Sequence, residues 1–144
     1  MKNEKMLRIE MLMDFSEGYA RCRVNEKCGL VDEQGDFVVE PKYDIIIFFA
    51  DGFAGVMLEG KYGCVSLAPG KEVSPIQWDW IEPYSEGLFA VRQDESWGYI
   101  NEKGEVVFPI KYDWAESFDE GFAVVELDGD VFVLDRTGDL VKVA

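Results

Sequence analysis

Tyr84-Ser85-Glu86-Gly87-Leu88 opens a phrase that runs through Trp97-Gly98-Tyr99-Ile100-Asn101 and Gly104 to Pro109-Ile110-Lys111-Tyr112-Asp113. Its first step returns as Phe15-Ser16-Glu17-Gly18, Phe49-Ala50-Asp51-Gly52 and Phe118-Asp119-Glu120-Gly121. The steps between the four glycines are 34, 35 and 34 residues. A fixed period of that size signals a repeat architecture.

Three further landmarks recur in register. An aromatic-Gly step stands at Tyr62-Gly63 and Trp97-Gly98, with Cys28-Gly29 and Val131-Phe132 as degenerate copies. A tight turn ending in Gly stands at Asp32–Gly35, Asn101–Gly104 and Asp135–Gly138. Its second copy, Ser66-Leu67-Ala68-Pro69-Gly70, is one residue longer and accounts for the single 35-residue step. An aromatic-Asp pair closes the unit at Tyr43-Asp44, Trp78-Asp79 and Tyr112-Asp113. In the Gly-terminated turn, Asp or Asn can accept from the amides ahead, and Gly takes positive φ without a Cβ clash. The four turns, at Gly35, Gly70, Gly104 and Gly138, should therefore align on one side of the molecule.

Between the turns, apolar residues alternate. Ala20, Cys22 and Val24 are matched by Ala54, Val56 and Leu58, by Phe89 and Val91, and by Ala123, Val125 and Leu127. Alternation in short runs bounded by Gly turns predicts strands. About three strands fill each repeat, with room for a fourth near Tyr43 to Phe49, and no helix-length periodic segment exists. The fold class is all-β: four tandem β-meander repeats of about 34 residues stacked in an open curved array. The alternative is a small closed propeller-like ring, in which the strand at Met6 to Met13 completes the final unit. Residues 1–144 form one repeat domain, with an N-terminal partial strand at 1–13 and repeats at approximately 14–48, 49–83, 84–117 and 118–144.

These residues resemble the WG-repeat family of bacterial proteins, also called KWG repeats. The family's phrase runs roughly F-x-E-G-L-A-x-V, then K-W-G-Y-I-D-x-x-G, a Val/Ile strand and P-x-Y-D. The copy at 84–113 is nearest, and the similarity extends over about residues 14 to 144. Cys28 and Val131 depart from it at the Trp position and Phe132 at the Gly position. The resemblance implies a β-rich repeat scaffold. It implies binding by analogy, and carries over no catalytic residues.

Composition narrows the function classes. The 144-residue chain is 48% apolar and carries 29 acidic against 14 basic residues, a net charge of −15. Such a field repels phosphate backbones and attracts basic proteins or cations. The expected partner is a basic protein, with no nucleic acid and no membrane. No run reaches the roughly 18 apolar residues of a membrane helix. Met1 to Asp14 does not read as a signal peptide, and three cysteines make no paired framework, so a reducing, cytoplasmic setting is expected. The chain has no histidine, which removes His-based acid–base, nucleophile and metal chemistry. Carboxylate-only catalysis would fall to Glu17, Asp51, Glu86 and Glu120, but acids recurring at one turn position read as structural. No catalytic residues, cofactor or metal are assigned.

Asp44, Asp79 and Asp113 form a ladder that reads as a cation site or as acceptors for loop amides, and the second is preferred. Asp128-Gly129-Asp130 reads as a simple turn, and Cys22, Cys28 and Cys64 as core residues. The partner-binding candidates follow the aromatic-Asp pair: Trp80 and Trp114, each two residues before a carboxylate, Glu82 and Glu116. They suit a non-catalytic scaffold that captures a basic partner, as a cytosolic inhibitor or immunity protein would. The competing class is a small-molecule or glycan binder with aromatic platforms between repeats.

Overall fold

The computed structural model describes residues 9, 11–68 and 72–143. Among them are sixteen strands and no helix. They form four antiparallel sheets of four strands, each in sequence order. The first holds β1 (Met11–Leu12), β2 (Tyr19–Val24), β3 (Lys27–Asp32) and β4 (Phe37–Tyr43). The second holds β5 (Ile45–Ala50), β6 (Phe53–Leu58), β7 (Lys61–Ser66) and β8 (Glu72–Trp78). The third holds β9 (Trp80–Ile81), β10 (Leu88–Gln93), β11 (Ser96–Asn101) and β12 (Val106–Tyr112). The fourth holds β13 (Trp114–Ala115), β14 (Phe122–Leu127), β15 (Asp130–Asp135) and β16 (Leu140–Lys142).

The array is all-β and open. Each unit has four strands: the fourth, for which the sequence leaves room near Tyr43 to Phe49, forms because the residues after each aromatic-Asp pair begin the next sheet. The ring in which the N-terminal strand completes the last unit does not form, since β1 pairs with β2 of the first sheet, Met11 opposite Arg23. Neighbouring sheets are joined by one residue, Asp44, Asp79 or Asp113.

The turns explain the recurring polar residues. In the Ser16–Tyr19 turn, Glu17 and Gly18 have φ of 54° and 86°, and Ser16 and Tyr19 exchange both backbone hydrogen bonds. Two successive positive φ values define the tight turn whose twist suits a hairpin. Asp32 Oδ1 accepts from the amides of Gln34 and Asp36, each at 3.0 Å. Asn101 and Asp135 repeat this at their own turns. Gly35, Gly104 and Gly138 close these turns at positive φ, while Gly70 lies outside the described residues. Asp128-Gly129 is a simple turn, φ 53° and 84°.

Each sheet has two faces. The face toward the C-terminus packs on the next sheet and builds one core per junction. Leu30, Val39 and Tyr43 meet Ile46, Ala54 and Val65 at the first junction. Cys64 and Trp78 meet Ile81, Phe89 and Ile100 at the second. Tyr99 and Phe108 meet Phe118, Val125 and Leu134 at the third. The opposite face of the first sheet buries Ala20, Cys22 and Val31, with Ile9 and Phe37 packed against them.

The aromatic-Gly step has a packing reason. In the first three sheets the fourth strand bulges against the third: Trp97 pairs with Tyr112 but Tyr99 with Phe108. The looped-out backbone lies over the glycine. A Cβ on Gly98 would stand 2.8 Å from both Phe108 O and Pro109 O, and one on Gly63 2.9 Å from Ser74 O and Pro75 O. Bulges and close backbone approach are where strands need Gly. In the fourth sheet Phe132 occupies this position, and β15 pairs with β16 without a shift: Phe132 with Lys142, Val133 with Val141.

Candidate partner-binding surface

Cross-strand pairing sets Trp80, Arg92, Trp97 and Tyr112 in one row across the third sheet. Antiparallel partners share a face, so the four side chains stand on the same side. The equivalent row of the second sheet is Ile45, Met57, Tyr62 and Trp78, and that of the fourth begins Trp114, Glu126 and Val131. The rows meet at the sheet junctions. Tyr62 packs on Trp80 with ring centroids 5.0 Å apart, and Trp97 on Trp114 at 5.4 Å. An aromatic strip thus crosses the second, third and fourth sheets.

The sequence-predicted residues divide over this strip. Trp80 is half-buried, and its indole N–H donates to Glu82 Oε2 at 2.7 Å. That bond neutralises the one polar atom of the indole and fixes the ring. Trp114 is 44% exposed, much for so large an apolar ring, and it rests on the buried Trp97. Glu116 is exposed, and its carbonyl accepts from the Tyr99 hydroxyl at 2.6 Å. Trp80 and Glu82 therefore form one unit, whereas Trp114 is joined to Trp97 and, in register, to Glu126.

Arg92 is a component that sequence reasoning missed. It lies between Trp80 and Trp97 in the row, and among the described residues its buried Nε meets no hydrogen-bond partner. Nothing local distinguishes it: equivalent positions hold Arg23, Met57 and Glu126.

The Asp ladder is structural. Asp44 Oδ2 accepts from the Glu59 amide at 2.8 Å while Oδ1 meets Lys27 Nζ at 2.6 Å. Asp79 accepts from the Asp94 amide at 2.8 Å and pairs with Lys61. Asp113 accepts from the Asp128 amide at 2.8 Å. Each carboxylate ties the hairpin of its following sheet, and the two lysines add a tie to the preceding one. The Lys27 hydrogen bond, then the Glu59 amide, hold the Asp44 carboxyl below its ordinary range, and Lys61 and the Asp94 amide do the same for Asp79.

The remaining candidates have structural surroundings. Asp51 and Glu120 share the left-handed turn geometry of Glu17, and Glu86 Oε1 accepts from the Gly121 amide at 2.9 Å. Burial pushes the Cys22 thiol up to about 11 and Cys64 up to about 12, away from thiolate chemistry. Cys28 is half-buried and its thiol donates to Asp44 O. A cleft between the second and third sheets is lined by Phe53, Ser66, Glu72, Glu102 and Lys103, apart from Trp80 and Trp114.

The chain belongs to the WG-containing repeat family, whose model matches residues 29–62, 70–96 and 97–129, more than half of its length. No curated protein matches it. Among solved structures it is similar to Hsv2 of Kluyveromyces lactis, a β-propeller-like protein, at 12% identity and a TM-score of 0.52, covering 92% of this chain and 50% of that one. A Hsv2 with loop 6CD replaced by a Gly-Ser linker gives 10% identity and a TM-score of 0.53, with 90% and 50% covered. Dihydro-heme d1 dehydrogenase NirN in complex with DHE gives 14% identity and a TM-score of 0.52, with 93% and 36% covered. At such identities the likeness is one of fold. The chain spans about half the length of the Hsv2 structures it matches.

Proposed function

We propose that this WG-repeat chain is a non-catalytic binding module for a basic partner protein, engaged through the aromatic strip of its third and fourth sheets. The observation that carries this reading is Trp114, exposed on the row it shares with Glu126 and seated on Trp97. Trp80, held by Glu82, extends the strip. Large rigid rings anchor interfaces, and surrounding carboxylates select a cationic partner. The net charge of −15 would accelerate encounter with such a protein. A cytosolic inhibitor or immunity protein for a basic toxin is one version of this role.

The test is a pull-down at low and high salt, followed by association and dissociation kinetics with the recovered protein. Expected are an on-rate that falls severalfold as the Debye length shortens from about 10 Å at 0.1 M to about 3 Å at 1 M, and at least about tenfold faster dissociation for Trp80→Ala and Trp114→Ala. A salt-independent on-rate removes the electrostatic basis and favours a glycan or small-molecule ligand. Hydrolase or transferase activity that depends on one carboxylate overturns the reading.

A further inference from the structure

We infer that the outer face of the fourth sheet is a self-association surface that pairs with the same face of a second copy of this chain. In the first three sheets the corresponding face is covered by the next sheet. Leu88 and Ala90 of the third sheet are 5% and 1% exposed, whereas their counterparts Phe122 and Val124 are 54% and 39% exposed. Register places Val124 opposite Val133, and Val133 opposite Val141, so three valines cross β14, β15 and β16 in one row. Val141 is 68% exposed, and the exposed Val131 extends the patch along β15. Carboxylates flank the valines: Glu116 stands beside Val124 on the β13 side, Glu126 lies in the row of Val131, and Asp135, whose Oδ1 accepts from the Thr137 and Asp139 amides, stands beyond Val133. A contiguous apolar face of this kind marks an interaction site.

The occupant follows from the rest of the array. What covers this face three times within the chain is another four-stranded sheet of the same pattern. A head-to-tail stack onto a second copy would need the opposite face of that copy's first sheet. There Ala20, Cys22 and Val31 are already buried, with Ile9 and Phe37 packed against them. The face open on both copies is that of the fourth sheet, so the pair is two-fold symmetric, with two sheets packed about 10 Å apart. Each copy carries −15, so the chains repel at long range and salt strengthens the pair. That sign is opposite to the one expected for a basic partner, which separates the two proposals. Trp114, which register places on this same face beside Glu126, belongs to both surfaces and is left out of the test.

Sedimentation equilibrium on the full chain tests this, from micromolar to a few hundred micromolar, at 0.05 and 0.5 M NaCl. A monomer–dimer equilibrium that tightens with salt is expected. Val124→Glu and Val141→Glu should each weaken it by about tenfold or more with unchanged melting temperature, while Val107→Glu, on β12, should leave it intact. Val124→Lys should also be monomeric, because a charge of either sign on this face opposes its burial. A wild type that stays monomeric throughout overturns the inference. So does a dimer insensitive to both glutamate variants, or one that dissolves with Val107→Glu.

Discussion

The carbonyl oxygen of Phe108 stands 2.8 Å from where a Cβ on Gly98 would lie. Gly98 does not have positive φ, so its requirement comes from the bulged backbone of β12 rather than from backbone strain. The obstruction is main chain on two sides, which cannot rotate away. Gly98→Val should cost about 1–3 kcal/mol, the usual range for overpacking a core. Glu95→Gln, at an exposed turn, should stay within about 0.5 kcal/mol. Urea unfolding of both variants checks this. Equal midpoints would refute the role assigned to the bulge.

Glu95 itself has φ of 72°, a left-handed conformation that favours Gly. Its counterparts in the second and fourth sheets are Gly60 and Gly129, φ 83° and 84°. Glu95→Gly should therefore stabilise the Asp94-Glu95 hairpin, with relief of left-handed strain exceeding the added chain entropy by about 0.5 kcal/mol. Thermal denaturation against wild type checks the sign, and a lower melting temperature would contradict the strain argument.

Ser96 stands where Lys27 and Lys61 stand in the first two sheets, so Asp113 lacks the lysine that Asp44 and Asp79 hold. Ser96→Lys should supply it. An exposed pair contributes about 0.2–1 kcal/mol at low salt. The gain should appear in melts at 0.02 M NaCl and shrink at 1 M. A gain independent of salt would mean that the lysine acts otherwise than through Asp113.

Acid should loosen the sheet junctions through Asp44 and Asp79. Both carboxyls are held below their ordinary range, Asp44 first by Lys27 and Asp79 first by Lys61. Their contribution is complete above the unfolded value of about 3.9 and is lost as pH falls through the lower folded value. Wild type should thus lose more stability between pH 6 and pH 2.5 than the double variant Asp44→Asn, Asp79→Asn. Denaturant midpoints across that range measure the difference, and parallel curves would show that the lysine ties carry none of the acid sensitivity.

Much of this arrangement was legible in the residues. Asp32, Asn101 and Asp135 accept from amides two and four residues ahead, as their place in Gly-closed turns implies. Asp44, Asp79 and Asp113 proved to be amide acceptors for the same kind of reason. The change of sheet at these three residues was not legible, because a one-residue link does not break the alternation of its strand. Strands as short as β9 and β13, two residues each, show no period. Trp80 and Trp114 could be aligned by counting. Their contacts with Tyr62 and Trp97 depend on how one sheet lies on the next, and Arg92 owes its place entirely to cross-strand register.

Phe132 tests whether the family pattern or the local geometry decides stability. It occupies the Gly position of the repeat, so Phe132→Gly would bring the fourth unit closer to the pattern. In the fourth sheet, however, β16 runs straight against β15, and no bulged backbone approaches that position. The half-buried Phe132 ring packs instead against the core of the third junction, with Leu127 and Leu140. Removing it would expose that core and add backbone freedom to a strand. Complete loss of a buried Phe costs about 3–5 kcal/mol. A half-buried ring should cost about 2, with Gly adding about 0.5–1 kcal/mol. Phe132→Gly should therefore destabilise the chain, by an amount comparable with Gly98→Val, although the two substitutions move opposite ways relative to the repeat pattern. Guanidinium unfolding of both variants decides it. A Phe132→Gly chain as stable as wild type would show that the pattern, rather than the straight pairing of β15 with β16, governs the position.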